Sequence, residues 1–236
     1  MKPYYECEQG RLYKGDCLEI MPLLEGQFDL VLTDPPYNIS KQTNFNQGTQ
    51  ARSGMDFGAW DKDFNLTSWI PCAVKSLSFS GSIVVFNDWK NLGEINLTLT
   101  ECGVSVKRCL VLQKNNLAPF NANRLYLNTC EFALWGTMGK GWVFNVDNKL
   151  HKGIFYANVQ NKDLHPTMKD LEVIKQLILI HSNETDLILD PFAGSGTTAI
   201  ACIRTNRKFV IIEKEEKYCE IIIQRIKDEI SQGKLF

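Results

Sequence analysis

Four short apolar runs limit most strongly the folds that are open to this chain, namely residues 28–33, 82–86, 186–189 and 208–212. Each run is rich in Val, Ile, Leu or Phe and shows no regular polar alternation. Runs of this kind are typical of parallel strands that helices cover on both faces. Because helical patterns lie between the runs, the sequence predicts an α/β fold with a mostly parallel, twisted sheet and right-handed crossovers.

Weaker patterns complete the predicted secondary structure. Two further strands are predicted at 104–113 and 131–135. Helices are predicted where apolar residues recur at helical spacing or follow a turn, over 170–181, 197–205 and 218–230. The remaining long stretches, 38–63 and 136–163, are rich in polar residues and glycine and are predicted to be loops. Loops of this length are usually functional, so substrate contacts are expected there.

The composition is that of an ordinary globular protein, with 44% hydrophobic and 22% charged residues among 236. This length fits one domain over 1–236. No apolar run reaches the roughly 18–20 residues that cross a bilayer, and the first residues lack a signal peptide's apolar stretch. A cytoplasmic location without a membrane partner is therefore expected. The eight cysteines form no C-x-x-C pair, so no metal site is expected and they are predicted to be reduced, mostly buried thiols.

The charge is unevenly distributed, although the net charge is only −1. Residues 103–169 carry nine Lys and Arg against three Asp and Glu, whereas the flanking parts are acidic. A basic middle third is consistent with a surface that faces nucleic acid, and an ordinary solvated face is the alternative.

The motif Asp34-Pro35-Pro36-Tyr37 directly follows the predicted strand 28–33. Ligands of open parallel sheets bind beyond the carboxyl ends of the strands. An exocyclic amino group on a base is a poor nucleophile because its lone pair is delocalised into the ring, and two acceptors on its N–H bonds free that lone pair. The Asp34 carboxylate and the Pro35 carbonyl can supply these acceptors, while Pro36 helps to stiffen the loop and Tyr37 offers a stacking face. The alternative is an ordinary strand exit.

A glycine-rich turn follows the predicted strand 186–189 and opens a helix, with the sequence Asp190-Pro191-Phe192-Ala193-Gly194-Ser195-Gly196-Thr197-Thr198. Its glycines let the backbone approach a ligand, and the free N–H groups at the helix start favour an anion such as a carboxylate. Asp190 could instead hold an ammonium group. A phosphate loop would need a lysine that is absent, and the dinucleotide pattern is incomplete because Ala199 stands at its last glycine. A turn without a ligand is the alternative.

Glu213 ends the predicted strand 208–212, about 20 residues after the glycine-rich turn. A carboxylate at this position can accept hydrogen bonds from both hydroxyls of a ribose. The position of Glu213 relative to the glycine-rich turn therefore favours a role in ligand binding, and an ordinary surface glutamate is the alternative.

The segment His165-Pro166-Thr167-Met168-Lys169 precedes the predicted helix 170–181. Its proline and threonine are typical of a helix start. His165 and Lys169 are expected near the active edge of the sheet, although a His-Pro pair before a helix is more often structural.

Together these motifs resemble the amino-group DNA methyltransferases in their β-class arrangement. The catalytic motif precedes the cofactor turn, which looks like the circularly permuted order of that class. The resemblance runs from Gly15 to Glu213 and implies the Rossmann-like fold of enzymes that use S-adenosyl-L-methionine (SAM) as cofactor. It implies a catalytic motif at Asp34, Pro35, Pro36 and Tyr37. It also implies a cofactor site made of Asp16, Cys17, Asp34, His165, Thr167, Lys169, Asp190, Phe192, Ala193, Gly194, Ser195, Gly196, Thr197, Thr198 and Glu213.

The resemblance also suggests individual roles. Asp16 matches the position that contacts the adenine ring of SAM, whereas His165 and Lys169 match the segment that closes over its methionine end. Residues 114–116 and 131–135 look like landmarks beside the target-base pocket. DNA contacts are expected in the loops 38–63 and 136–164, where 57–61 resembles a segment of small adenine methyltransferases, and at the basic residues Arg124, Lys140, Lys149, Lys152 and Lys162.

The resulting hypothesis is a site-specific DNA methyltransferase that flips the target base out of the duplex and transfers the methyl group in line to N6 of adenine. Adenine is favoured because D-P-P-Y is the usual adenine form of the family. The alternatives are cytosine N4, an RNA base or protein amide, and a catalytically silent nucleic-acid-binding subunit. Double-stranded DNA is the expected partner, and the resemblance leaves room for a homodimer and for a cognate restriction endonuclease.

Overall fold

A sheet of nine strands, counted over the described residues, forms the centre of the protein. The computed structural model describes residues 1–24, 26–37, 64–115, 126–146, 151–157 and 169–233. The described strands are β1 (Tyr5–Cys7), β2 (Gly10–Lys14), β3 (Phe28–Thr33), β4 (Leu77–Asn87), β5 (Ser105–Lys114), β6 (Cys130–Thr137), β7 (Ile154–Ala157), β8 (Leu187–Asp190) and β9 (Lys208–Glu213). The described helices are α1 (Cys17–Ile20), α2 (Ile70–Lys75), α3 (Leu92–Glu101), α4 (Leu171–His181), α5 (Thr197–Arg204) and α6 (Glu216–Gly233).

The strand order is β1-β2-β9-β8-β3-β4-β6-β5-β7. Within the described sheet, β1 pairs antiparallel with β2, and β6 pairs antiparallel with both β4 and β5, while the remaining neighbours are parallel. The sheet is therefore mostly parallel, as the apolar runs predicted.

Two hydrophobic cores cover the two faces of the sheet. Leu30 and Leu32 of β3 face the core that is shared with α4, α5 and α6. Val31, between them, faces the second core, which is shared with α1, α2 and α3. Because successive residues of a strand point to opposite faces, a continuous apolar run such as β3 supplies both cores at once. This arrangement confirms the predicted α/β fold with helices on both faces.

The predicted strands and helices all occur, with ends that shift by a few residues. The patterns did not predict β1, β2, α1, α2 or α3. The prediction was also incomplete for the loop 136–163, because β7 lies within it and pairs parallel with β5. The loop 38–63 lies outside the described residues.

The cysteines differ partly from the prediction. All eight fall within the described part of the chain, and each is a free thiol. Cys17, Cys202 and Cys219 are buried, whereas Cys109 is exposed and the other four are partly buried. The expectation of mostly buried thiols was therefore wrong for this chain. Among the described helices, none has the length and apolar character needed to span a membrane.

Substitution of two glycines by alanine is expected to change the free energy of unfolding in opposite directions. A Cβ on Gly10 would overlap the carbonyl oxygen of Phe209 on the neighbouring strand. We therefore expect Gly10→Ala to lower the free energy of unfolding by roughly 1–3 kcal/mol. A Cβ on Gly93, in the exposed part of α3, would meet no described atom within 4 Å. Gly93→Ala should raise the free energy of unfolding by about 0.5–1 kcal/mol, because alanine loses less entropy in a helix. Urea denaturation measures both, and a destabilised Gly93→Ala together with an unchanged Gly10→Ala would contradict this packing.

Candidate active site

Three acidic residues lie at the carboxyl ends of three neighbouring strands. Asp34 follows β3, Asp190 ends β8 and Glu213 ends β9. The chain leaves β3 towards β4 on one side and leaves β8 towards β9 on the other, so β3 and β8 flank the topological switch point of the sheet. Open α/β sheets bind ligands in the crevice that forms at such a point.

The Asp34 carboxylate is held by two neighbouring side chains. Its Oδ1 accepts a hydrogen bond from the Tyr37 hydroxyl at 2.5 Å, and its Oδ2 accepts one from the Lys169 ammonium at 2.6 Å. Lys169 also donates to the Tyr37 hydroxyl oxygen at 3.1 Å. Since a carboxylate has about four acceptor positions, these contacts orient Asp34 and still leave acceptor capacity for a ligand.

Lys169 connects Asp34 to a second acidic residue. Its ammonium lies 3.4 Å from Glu131 Oε2, and Lys114 lies 2.6 Å from Glu131 Oε1. Among the described residues the cluster contains two ammonium groups and two carboxylates, and Lys169 is the least exposed of them. Opposite charges balance within the cluster, which reduces the free energy of burying each of them.

Burial and charge act in opposite directions on these groups. Burial raises the pKa of Asp34 by more than Lys169 and Tyr37 lower it. Burial alone would lower the pKa of Lys169, but Asp34, Tyr37 and Glu131 hold it well above the usual range. Burial likewise would raise the pKa of Glu131, but Lys169 and Lys114 hold it at about 2. Lys169 therefore stays charged and helps to keep Asp34 ionised.

Asp190 braces the start of the glycine-rich turn. Its Oδ1 accepts hydrogen bonds from the Thr33 hydroxyl at 2.9 Å and from the Phe192 backbone N–H at 3.1 Å. Its Oδ2 accepts one from the Thr198 hydroxyl at 2.6 Å. Burial raises the pKa of Asp190 to about 6. These three donors come from within the protein, and the predicted contact of Asp190 with an ammonium group stays a prediction.

The turn itself depends on two glycines with left-handed backbone conformations. Gly194 has φ +54° and Gly196 has φ +79°, a region that disfavours other residues. Gly196 precedes α5, and no side chain in the described ranges caps that helix start. The first N–H groups of α5 are therefore available to an anionic ligand.

Glu213 is hydrogen-bonded to the same turn. Its Oε2 accepts from the Gly194 N–H at 2.8 Å, and its Oε1 accepts from the Glu215 N–H at 2.8 Å. Burial raises the pKa of Glu213 to about 7. Asp16 lies next to it, because the Gly15 N–H donates to the Glu213 carbonyl at 3.0 Å. Asp16 accepts from the Leu18 N–H at 3.0 Å and thereby caps α1.

Most of the predicted site residues that the structure describes gather along this edge. Pro35 and Pro36 follow Asp34, and Cys17 is buried in the first turn of α1 beside Asp16. Phe192 packs edge-to-face against Phe64 and Trp69, with ring centroids 5.5 Å and 5.4 Å apart. The remaining residues of the turn belong to it by sequence, namely Ala193, Ser195, Thr197 and Thr198. His165 and Thr167 lie outside the described residues, and so do Arg124, Lys149 and Lys162.

Two further residues hold the site in shape without having been predicted. The Thr33 hydroxyl bonds to Asp190, as described above, and the Asn91 side-chain amide donates to the Tyr37 carbonyl at 2.8 Å. Thr33 lies in a predicted strand, so its position beside the motif was a usable signal. Asn91 is 54 residues from Tyr37, and no local pattern connects the two.

Comparison with known proteins assigns the chain to a family. A family model described as DNA methylase matches residues 28–224, a range that includes Asp34, the glycine-rich turn and Glu213. The chain belongs to this DNA methylase family. The match confirms the resemblance seen in the motifs, and DNA is therefore the substrate of the enzyme.

Individual relatives agree with this assignment over nearly the whole chain. The Type II methyltransferase M2.LlaDCHI of Lactococcus lactis subsp. cremoris is 30% identical, over 98% of this chain and 94% of the relative. The Type II methyltransferase M2.DpnII of Streptococcus pneumoniae is 29% identical, over 97% of this chain and 93% of the relative. The solved complex of M1.HpyAVI with SAM has a TM-score of 0.75 and 31% identity, over 92% of this chain and 98% of that one.

The site of this DNA methylase fits the predicted cofactor, SAM. The uncapped start of α5 offers N–H donors to a carboxylate, and the glycines of the turn allow close approach. Glu213 keeps acceptor capacity for hydroxyl groups, because a carboxylate has about four acceptor positions and the described donors are backbone N–H groups on one side of it, such as those of Gly194 and Glu215. SAM is the cofactor of the enzyme.

The contact between Lys169 and Asp34 predicts a change in the pH dependence of catalysis. Lys169→Met removes the charge that lowers the pKa of Asp34, so that pKa rises and the ionised form is lost at higher pH. We expect the acidic limb of the pH–rate profile to move upwards by roughly 1–3 units at saturating SAM. Single-turnover methylation between pH 5.5 and 9 measures it. Lys175→Met, which removes an exposed ion pair with Glu172, is the matched control and should leave the limb in place. An unshifted limb in Lys169→Met would refute the electrostatic role.

The raised pKa of Glu213 predicts pH-dependent SAM binding. Hydroxyl groups donate better to an ionised carboxylate than to a protonated one, so the Kd for SAM should rise as the pH falls below about 7. Calorimetric titration between pH 5.5 and 8.5 measures the Kd. Glu213→Gln should bind SAM more weakly at pH 8, and any pH dependence that it retains belongs to other groups, such as Asp190 or SAM itself. Identical pH dependence in both proteins would show that Glu213 does not contact the hydroxyls in its ionised form.

Proposed function

We propose that this DNA methylase is the methyltransferase of a restriction-modification system and that it methylates N6 of adenine at a specific DNA site. The observation that carries the proposal is the Asp34 carboxyl group, which is oriented by Tyr37 and Lys169 and lies adjacent to the SAM turn through the Thr33–Asp190 hydrogen bond. The relatives M2.LlaDCHI and M2.DpnII, both Type II methyltransferases, support the restriction-modification assignment.

The chemistry follows from what the protein groups hold. Asp34 and the Pro35 carbonyl accept hydrogen bonds from the two N–H groups of the target amino group. These hydrogen bonds free the lone pair of the nitrogen. Tyr37 stacks on the extruded base, at a site where the base no longer pairs. SAM supplies the electrophilic methyl group. The developing positive charge on the nitrogen is stabilised by Asp34, which also lies where it can take the excess proton.

Adenine is proposed rather than cytosine because the motif carries aspartate at position 34, where cytosine-N4 enzymes of the family more usually carry serine. The structure of the cytosine-N4-specific PvuII DNA methyltransferase has a TM-score of 0.72 but only 17% identity to this chain, which shows a shared fold. Cytosine N4 therefore stays the alternative that the product test must distinguish.

The recognition of DNA is proposed for the loop 38–63 and for the segment 136–164, within one domain over 1–236. Lys152 is exposed in the described part of that segment, where it is available to phosphates. Lys140 is also exposed but follows β6 at the end of the sheet opposite Asp34, so the earlier expectation that it contacts DNA beside the active site is not supported. A cognate restriction endonuclease is proposed as a partner, in line with the Type II relatives. A homodimer is proposed as well, on the resemblance to the family alone. The DNA substrate also makes the cytoplasm the proposed location.

The product identifies the reaction. The purified protein is incubated with SAM and unmethylated plasmid DNA, the DNA is digested to nucleosides, and the nucleosides are identified by mass spectrometry. We expect N6-methyladenine, and sequencing of the methylated DNA then gives the recognition site. N4-methylcytosine would replace the proposed base. Absence of any methylated nucleoside in the presence of measured SAM binding would refute the proposed function.

The role of Asp34 predicts a separation of catalysis from cofactor binding. Asp34→Asn keeps the size of the side chain but removes its charge, and we expect the methylation rate to fall by at least about 100-fold with an unchanged Kd for SAM. Asp29→Asn, at the opposite end of β3 where Asp29 accepts from the Leu187 N–H at 3.0 Å, is the matched control. It should methylate DNA at close to the normal rate. Retained turnover in Asp34→Asn would exclude the carboxylate from the reaction.

A further inference from the structure

Trp89 is an exposed tryptophan at the rim of the active site. It follows β4 at the same edge of the sheet as Asp34, and 63% of its surface is exposed. Trp69 and Trp135, by contrast, are 0% and 8% exposed. Tryptophan usually buries most of its large apolar surface, so an exposed ring beside a binding site indicates a contact with a partner.

The loop that carries Trp89 is attached to the catalytic motif. The Asn91 side-chain amide donates one hydrogen bond to the Tyr37 carbonyl at 2.8 Å and another to Asn87 Oδ1 at 2.7 Å. Asn87 Oδ1 also accepts from the Asp88 N–H at 2.9 Å. These bonds set the shape of the loop on both sides of Trp89 and keep it next to the residue that is proposed to stack on the target base.

A positive charge accompanies the ring. The Lys90 ammonium lies 5.6 Å from the centroid of the Trp89 ring, and both side chains are exposed. An aromatic face together with a neighbouring cation is the combination that binds unpaired nucleotides, because the ring stacks on a base and the cation contacts the adjoining phosphate. A protein surface or a lipid surface would not need the ring beside the catalytic motif.

The part of the DNA that this pair fits follows from base extrusion. In an intact duplex the faces of the bases are covered by their neighbours, and a face becomes available only when a base leaves the stack. The target base at Asp34 and Tyr37 stays covalently joined to its strand, so the gap that it leaves must lie close to the rim of its pocket. Trp89 is attached to that rim.

We propose that Trp89 stacks on the bases that become uncovered when the target base is extruded, while Lys90 contacts the phosphate next to them. The inference rests on the proposed methylation of duplex DNA and adds a residue that stabilises the extruded state. Trp89 contacts the DNA and takes no part in the chemical step. The loss of Trp89 should therefore slow methylation most on a substrate whose target base needs a large free energy for extrusion, and least on one whose base leaves the stack easily.

The test compares two duplexes with the same recognition site, as mapped in the product experiment. One is fully paired, and the other has an abasic position opposite the target base, which makes extrusion easier. For Trp89→Ala we expect the single-turnover rate on the paired duplex to fall by roughly tenfold or more. On the abasic duplex the rate should return close to that of the unmodified protein. Trp89→Phe, which keeps a stacking face, should recover most of the rate on the paired duplex.

Two controls separate this role from a general effect. Phe79→Ala removes another exposed aromatic ring, 76% exposed, near the beginning of β4, and it should methylate both duplexes at the normal rate. The Kd for SAM should be unchanged in Trp89→Ala. A normal rate on the paired duplex, or an equal loss on both duplexes, would overturn the inference. If the unmodified protein methylates neither duplex, the proposed function fails and the inference fails with it.

Discussion

A buried hydrogen bond from the Thr33 hydroxyl to the Asp190 carboxylate connects the two halves of the active site. Thr33 ends the strand that leads to the catalytic motif, and Asp190 ends the strand that leads to the cofactor turn. The bond crosses the switch point of the sheet, where the connections that follow β3 and β8 run to opposite sides. Asp190 also bonds to Phe192 and Thr198 within the turn. The distance between the base-binding motif and the cofactor turn therefore depends on the pairing of β3 with β8.

The charged cluster around Lys169 acts on the protonation of Asp34. Burial favours the neutral form of this carboxyl group, and the positive charge of Lys169 favours its ionised form. Lys169 bonds to Asp34, and Glu131 and Lys114 complete the balance of charge. A single buried ion pair usually adds little to the free energy of unfolding compared with an apolar pair of similar volume. Here, however, the lysine also orients the carboxylate. The cluster joins the segment before α4 to β3, β5 and β6. In this way, elements that are distant in the chain together determine the position of one acceptor.

Much of the fold could be predicted because its central strands are buried on both faces. Strands β3, β4, β8 and β9 consist largely of apolar residues, and such runs are visible in any sequence. Strands β1, β2 and β7 are short and lie at or near the sheet edges, where polar residues are tolerated, so their patterns are weak. Helix α3 was missed for a similar reason, because Ile95 and Leu99 are its buried residues and give too little periodicity.

The sequence by itself determined the family, the catalytic motif and the cofactor turn, because these depend on residues that are adjacent in the chain and on the strand that precedes them. The tertiary structure alone decided that Lys169 contacts Asp34 across 135 positions, and that Asn91 attaches the Trp89 loop to Tyr37 across 54. Hydrogen bonds between distant segments depend on strand order, on register and on the direction of each side chain, and these are set by packing of the whole sheet. A local pattern carries no information about such contacts, which is why the arrangement around Asp34 emerged only from the fold.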